Sequence, residues 1–590
     1  MIKLLIQLLL IACVFGQNKS IIDINEITAD EILEHIRFLS SDKLKGRYPG
    51  TLGAKTAVRY VETEWKKSGV LPLGNRGYKQ SFEFSDDVFL FGINRINIIE
   101  TRQSFRVNND FIPLGFSGTG KYSAPIVFIG YGFNTKDSVS WNDYDSIDVT
   151  GKWVMVFRGS PDGSGRHSKY SEYMPLRKKY MAARDNGAVG ILFVNRFDDE
   201  DQEGLIPLTF SQSSGGKKIA ALHISQTVAD RLLESEHDLR DLQNQIDTNK
   251  KAASFLMPFS LSAKIGLKEK KINGVNLVGY IPGDGSTEEV IIIGGHRDHL
   301  GFGGKDSGSL SPYEHAVHNG ADDNASGIAG LLELSEKFSA HSDNLKRGLV
   351  FIAFDGEEKG LLGSKYFVEN PTVDIKNIAA MINMDMIGRL KDSSLSVGGT
   401  GTSPIFEPML DSLQKRHNLI LSYNQGGYGP SDHSSFYTKN TPVLFFFTGA
   451  HEDYHKPSDD WEKINSLGEK QILDLIYDIM VTLSNEESRP LFTESGSKSP
   501  TSARRSFKVT FGVIPSYTGT GPGFIIDGVR PDGPAAKAGM VSGDAIIEIG
   551  GKAVEDIYDY MYRLGELKLG QTVEVKVRRG EEMLVFSVTL

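Results

Sequence analysis

Five short segments of the chain combine residue types that bind divalent metal and use it. VIIIGGHRDHLG carries His296 and Asp298, and NGADDNASGIAG carries Asp322 and Asp323. FIAFDGEEKGLLGS carries Glu357 and Glu358, INMDMIG carries Asp385, and FTGAHEDYHKPSDD carries His455. Imidazole nitrogen and carboxylate oxygen are good zinc donors. His296, Asp322, Glu358, Asp385 and His455 suffice for two ions if one carboxylate bridges them. Asp322, between the histidine-led segment and the double glutamate, is the natural bridge. Asp298, two residues beyond His296, is placed to accept a bond from the far imidazole nitrogen and fix the ring. Of the adjacent pair Glu357 and Glu358, one can bind metal while the other stays free as a base, which is what metal-assisted hydrolysis needs.

The elements that must hold these residues are legible around them. VIIIGG, GLVFIAF, IAAMINM and TPVLFFF read as buried strands, and ASGIAGLLELSEKF and SLGEKQILDLIYDIMVTLS as helices. Strand and helix in alternation predict an α/β sheet covered by helices. The metal-binding segments then fall past strand ends or at a helix start, where open α/β sheets bind ligands. Upstream, Ile32, Ile36 and Leu39, then Val58, Val61 and Trp65, recur at helical spacing on either side of SSDKLKGRYPGT, which reads as a loop.

A chain of 590 residues is too long for one hydrophobic core. We divide it into a leader, residues 1–16; the first part of the sheet domain, 17–119; an insert, 120–262; the main part of the sheet domain, 263–487; a serine-rich polar linker, 488–505; and a C-terminal β-rich domain, 506–590. The insert has strands at APIVFIGYG, KWVMVF and VGILFV, with helical character from Tyr170 to Asn186. It resembles a protease-associated domain, a small α/β module. GPAAKAGM followed by GDAI near the C-terminus resembles a PDZ domain of the bacterial protease type. Its backbone amides around Phe511-Gly512-Val513 are candidates for clamping a peptide C-terminal carboxylate, and docking of a protein partner is the other reading. The leader MIKLLIQLLLIACVFG has one lysine and an apolar run too short to span a bilayer, as in a secretory signal peptide. The protein is therefore expected outside the cytoplasm, periplasmic or extracellular. The single cysteine, Cys13, lies in LIAC, which also reads as a lipidation motif; membrane attachment follows only in that case. Cleavage after Gly16 leaves no cysteine and no disulfide.

Taken together, GGHRDHLG, NGADDNASG, EEKGLLGS, NMDMIG and the His455 loop resemble the co-catalytic zinc aminopeptidase family, which includes bacterial leucyl aminopeptidase and the glutamate carboxypeptidases. The resemblance covers about Ile27 to Asn485 apart from the insert. It implies two Zn2+ per chain, with His296 and Asp385 on separate ions, Asp322 bridging, and Glu358 and His455 completing the second ion's shell. It implies Glu357 as general base, a cis bond between Asp322 and Asp323, and Tyr428, in YGPSDHSSF, as a hydrogen-bond donor to the oxyanion. Peptides are the implied substrates, with hydrolysis at the N-terminus.

Several readings stay open beside this one. A carboxypeptidase of the same fold needs a cationic pocket, and a glutaminyl cyclase-like transferase uses similar ligands. A metal-free binding protein usually lacks ligands, and none is missing here. Arg297 and Arg389 are expected to pair with local carboxylates rather than with substrate. His299, His315, His318 and His433 are read as supporting or surface groups, and Asp432 and His433 as buttresses. The formal net charge of −10 argues against a nucleic-acid binder.

Overall fold

The computed structural model describes residues 26–135, 141–163, 168–197, 204–210, 218–234, 237–304, 307–341, 345–496, 509–515, 523–530, 533–555 and 557–590. The leader, Cys13 and half of the serine-rich linker lie outside the described residues. The chain forms two compact units, one made of the chain up to Phe82 with Asn273–Pro500, the other of Glu83–Ile272 with Thr501–Leu590.

The first unit is built on four parallel strands, β1 (Val290–His296), β2 (Gly348–Phe354), β3 (Ile378–Met384) and β4 (Val443–Phe447), in spatial order β2-β1-β3-β4. Every residue of β1, β2 and β3 is buried, as expected where helices cover both faces of a parallel sheet. Their composition of Val, Ile, Leu, Phe and Met answers that burial. His296 at the end of β1 lies level with Phe354 at the end of β2. The loops that follow the strands therefore open on one edge.

Helices pack over this sheet. Helix α1 (Ala29–Leu39) is capped by Thr28, whose side chain accepts from the amide of Glu31, and buries Ile32, Ile36 and Leu39. Helix α2 (Leu52–Ser68) starts on Thr51, ends on left-handed Gly69 and buries Trp65 fully. Helices α3 (Gly327–Ala340) and α4 (Ser466–Asn485) join them in one apolar cluster with Ile291, Ile293, Phe351 and Ile382. The predicted strands and the paired upstream helices are found where the periodicity placed them.

In the second unit, the insert has a sheet of eight strands among the described residues. Three of them, Arg95–Ile98, Ser104–Arg106 and Phe111–Pro113, precede residue 120. The insert sheet thus takes in more chain than the 120–262 read from the apolar runs, because these strands are only three or four residues long and carry no long apolar stretch. The insert helix between KWVMVF and VGILFV spans Leu176–Asp185 rather than beginning at Tyr170. Pro175 is the N-cap, and a proline disfavours helical backbone at the residue before it. The C-terminal domain is an antiparallel sheet with the helices Pro534–Ala538 and Ile557–Gly565 around a core that includes Phe511, Ile526 and Val575.

The insert and the C-terminal domain meet helix to helix. The Arg563 guanidinium forms a two-pronged ion pair with Asp185, and Arg184 reaches Asp559 at 2.9 Å and Glu555 at 3.5 Å. Arg563 is 2% exposed and Asp559 4%, so neither charge is left to water. Tyr562 packs against the insert's own apolar cluster around Tyr144 and Tyr180. Asp185→Ala removes the two-pronged partner of the buried Arg563 and leaves it Glu566 at 3.8 Å, at a cost of about 3 kcal/mol. It should accelerate hydrogen exchange in Ile557–Gly565, and Asp185→Ala with Arg563→Met should recover most of the protection. Unchanged exchange in the single variant would show that the pairs do not hold the domains together.

Candidate metal centre

The turn that leads into α3 decides which acid faces the centre. The backbone of Gly320 is left-handed, with φ 57°, and a Cβ there would lie 2.1 Å from the Asp323 carbonyl oxygen and 2.5 Å from the His299 ring. From this tight start, the four polar residues of Asp322-Asp323-Asn324-Ala325-Ser326 point to different tasks. Asp322 turns into the protein. Its carboxylate accepts from the amide of Gly388 at 2.7 Å and the hydroxyl of Ser326 at 3.1 Å, and its other oxygen lies 3.1 Å from His451 Nε2. Asn324 accepts from the amides of Gly327 and Met386 and donates to the Met384 carbonyl, tying the start of α3 to the end of β3. Only Asp323 faces the other ligand candidates. One carboxylate oxygen is 3.2 Å from His296 Nε2 and the other 3.2 Å from His455 Nε2.

Asp323, not Asp322, therefore occupies the position between the two halves of the site. The cis peptide bond is correspondingly Asp323–Asn324 rather than Asp322–Asp323. A second correction concerns His296 and Asp385, read as serving separate ions. His296 Nε2 and Asp385 Oδ1 are 3.3 Å apart, and β1 and β3 are neighbouring strands, so the two residues end side by side. His296, Asp323 and Asp385 form one group whose donor atoms all lie within 4.8 Å of one another, and Asp323 and Glu358 belong to a second.

Two histidines attend that second group. His299 Nδ1 is 2.7 Å from Glu358 Oε1, and His455 Nε2 is 3.1 Å from Glu358 Oε2. His455 also uses Nδ1 on the carbonyl of Gly308 at 2.9 Å. That arrangement, one nitrogen toward the carboxylates and the other on a carbonyl, is how ligating imidazoles are oriented. The far nitrogen of His299 is buried without a hydrogen-bond partner. His299 is fully buried beside the site, closer to it than its reading as a general supporting group implied.

Asp298 orients His296 by a different atom from the one expected. Its main-chain carbonyl lies 3.1 Å from His296 Nδ1, whereas its carboxylate is 3.9 Å away. The carboxylate instead accepts from the amides of Glu357 at 3.1 Å and Glu358 at 3.4 Å, holding the loop after β2. Glu357 Oε2 stands 3.9 Å from His296 Nε2. Tyr428 is half-buried on the loop after Ile420–Asn424 and packs against the cluster of Phe436, Tyr437 and Val443. Arg297 pairs with Asp355 at 2.8 Å, and Arg389 with Asp453 and Asp459 at 3.3 and 3.2 Å, as expected for arginines among acids. His433 is buried and stacks on Phe445.

Sequence reasoning missed Asp459, Ser431 and Tyr454. One Asp459 oxygen accepts from the amides of both Asp322 and Asp323, at 3.0 and 3.1 Å. Ser431 donates to Asp385 Oδ2 at 2.7 Å. Tyr454 stacks on His455 with ring centroids 3.9 Å apart. Burial raises its phenol, and so do the carboxylates of Asp323, Glu358, Asp385 and Glu357. The one available signal was proximity in sequence: Asp459 and Tyr454 lie in the His455 segment, and Ser431 in YGPSDHSSF.

The electrostatics are those of concentrated buried acid. Burial pushes Glu357 well above the usual carboxylate range, with Glu358, Asp432 and Asp385 adding to it against the pull of His296. Glu358 is held down at about 2, because hydrogen bonds from His299 and His455 outweigh burial and the repulsion of Asp323. Burial alone lowers His296 and His455, yet the facing carboxylates drive both upward, His455 to about 10. The donor set is nitrogen and oxygen only, and Asp385 Oδ1 is buried with no hydrogen-bond partner. These residues fit a zinc-type cation.

Parts of the chain are similar to known families and proteins. Residues 276–480 match the model for peptidase family M28, residues 122–232 a PA domain and residues 483–590 a PDZ domain. The aminopeptidase YwaD of Bacillus subtilis is 25% identical over 383 residues, 62% of this chain and 68% of that one. The probable lipoprotein aminopeptidase LpqL of Mycobacterium tuberculosis is 25% identical over 390 residues, 65% of this chain and 63% of that one. A probable zinc metalloprotease of Phaeosphaeria nodorum is 32% identical over 125 residues, a fifth of this chain and only a quarter of that one. Among solved structures, an aminopeptidase from Aneurinibacillus sp. strain AM-1 is 22% identical, with 80% of this chain and 97% of that one covered and a TM-score of 0.47. Over residues 276–480 the chain thus resembles peptidase family M28, the co-catalytic zinc aminopeptidases, beside its matches to a PA domain and a PDZ domain.

The placement of the two aspartates is testable. Asp323→Asn should abolish tight zinc uptake by the chelator-stripped chain, measured by equilibrium dialysis and metal analysis. Asp322→Asn should retain zinc while lowering the melting temperature. Equal zinc loss in both variants would place them in one role.

Proposed function

We propose that this protein is a two-zinc aminopeptidase, with His296, Asp323 and Asp385 around one ion and Asp323, Glu358 and His455 around the other. The observation that carries this reading is the set of carboxylates and imidazoles gathered past the ends of β1, β2, β3 and β4, with Asp323 shared between its halves. Zinc held there supplies Lewis acidity toward a substrate carbonyl and toward water.

The chain's own residues account for the rest. Glu357 is adjacent to the ligand Glu358 yet has its own oxygen 3.9 Å from His296. It serves as the base that takes a proton from the attacking water and passes it to the leaving amine. Its burial among other carboxylates favours holding that proton between the two transfers. Tyr428, and Tyr454 beside His455, are the phenols available to meet negative charge on the carbonyl oxygen.

Direction of cleavage follows from charge. Binding a substrate's C-terminal carboxylate would call for an uncommitted cation beside the ligands. Arg297 and Arg389, the arginines flanking ligands in sequence, are committed to Asp355 and to Asp453 and Asp459. Peptides are the substrates, the PDZ domain holds a peptide or protein partner, and the protein works outside the cytoplasm. The relatives named as aminopeptidases support this reading.

Aminoacyl substrates with a free amine should be hydrolysed, and their N-acetylated counterparts should not. Chelation should abolish turnover, and Glu357→Gln should lower kcat by about 100-fold or more while zinc remains bound. Turnover of blocked peptides, or a Glu357→Gln variant as active as the parent, would overturn the proposal.

A further inference from the structure

The loop Ser41–Gly50, between α1 and α2, lies far upstream of the family match, yet it reaches the centre of the site's wiring. Arg47 is 1% exposed. Its guanidinium spends its donors on main-chain carbonyls: Nε on Arg297 at 2.9 Å, Nη1 on Leu39 at 2.7 Å and Asn319 at 2.6 Å, and Nη2 on Gly320 at 2.9 Å. Arg297 follows the ligand His296. Asn319 and Gly320 are the turn that sends Asp323 into the site. One side chain therefore grips both loops, at the residue after His296 and at the turn three and four residues before Asp323.

The neighbouring contacts serve the same junction. The carbonyl of Gly46 accepts from the amide of Gly301, whose own carbonyl accepts from the amide of His318. Asn319 donates to Asp42 and to Asp460, each at 2.8 Å. Lys45, Gly46 and Arg47 are left-handed in succession, with φ 48°, 64° and 46°. At Gly46 a Cβ would meet the His318 carbonyl oxygen at 2.4 Å and the Gly301 carbonyl oxygen at 2.6 Å, so only glycine fits. Non-glycine residues rarely take such backbone angles. Here two of them do so in order to bury one guanidinium.

We infer that Arg47 is a positioning residue for the metal centre, fixing the separation of the His296 loop and the Asp323 turn through their carbonyls. The inference rests on the ligand assignment above and deepens it. Arginine is needed because its planar fork offers five N–H donors in fixed directions, where lysine offers one point. The charge matters as well as the fork. Burial brings Arg47 down to about 10, and Asp323 is the group that most strongly opposes that fall. A cation beneath the shared carboxylate partly offsets its repulsion from its neighbours.

The test uses the full chain, stripped of metal and titrated with cobalt(II) as a visible-absorbing probe. Wild type should take up cobalt, whereas Arg47→Lys should bind it roughly 10- to 100-fold more weakly, the range typical for loss of a group that orients ligands. Its absorption bands at saturation should differ, its metal-free melting temperature should barely move, and kcat should fall with KM little changed. Wild-type affinity and spectrum in Arg47→Lys would overturn the inference. So would an affinity loss matched by equal loss of metal-free stability with an unaltered spectrum, which marks a purely structural residue. Failure of wild type itself to bind cobalt would overturn the metal reading and this inference with it. A measurement independent of the variant is hydrogen exchange on wild type. Cobalt should slow exchange in peptides covering Ser41–Tyr48 as well as in the ligand loops, and protection confined to the ligand loops would refute the coupling.

Discussion

The constraint on which the rest of this structure depends is the crowding of buried negative charge. Asp323, Glu357, Glu358 and Asp385 are gathered around His296, His299 and His455 at the end of a sheet whose core strands are closed to water. At an effective dielectric near 20, two unit charges about 4 Å apart repel by about 4 kcal/mol. Such a group stays together only if cations are supplied. Without metal the imidazoles supply them, which is why His296 and His455 are driven upward against their own burial. Divalent ions meet the same demand and release those protons, because a ligating histidine must be neutral. Metal affinity and proton release are thus one equilibrium at this site.

Charge of this density cannot also position the loops that carry it. That task falls to main-chain amides and carbonyls. Asp298 takes the amides of Glu357 and Glu358, Asp459 those of Asp322 and Asp323, and Asn324 those of Gly327 and Met386. Arg47 does the converse, donating to carbonyls on two ligand loops and at the end of α1. Most of these contacts join elements distant in sequence, so the ligand loops, though irregular, have little freedom relative to one another.

The sheet and its helices were legible because buried strands and amphipathic helices announce themselves by composition and period. The ligand segments were legible because strand ends are where such sheets bind. What the sequence withheld was direction at single-residue scale. Asp322 and Asp323 are both buried acids in one turn, and the chain geometry that turns one inward and the other toward His296 depends on contacts with Gly388, His451 and Asp459, up to 137 residues away. Pairing of His296 with Asp385 was likewise invisible without knowing that β1 and β3 are neighbours. Asp298 shows a finer limit: the correct residue contacts His296, but through its carbonyl rather than its carboxylate. Arg47 sat in a segment that read only as a loop, because a residue that bonds carbonyls leaves no pattern in spacing.

The second unit uses buried charge for a different end. A buried ion pair is weak evidence for stability, since desolvation consumes most of its attraction. Its strength is selectivity of arrangement. Arg184 and Asp185 are adjacent and opposite in charge, and they meet Asp559 and Arg563, opposite in charge and one helical turn apart. Sliding the helix Ile557–Gly565 by one turn along Leu176–Asp185 would set Arg184 against Arg563 or Asp185 against Asp559. A single pair would permit rotation about itself, whereas two crossed pairs fix register and angle together. With Tyr562 seated in the insert's apolar cluster, the PDZ domain is held in one orientation on the insert despite the polar linker that precedes it.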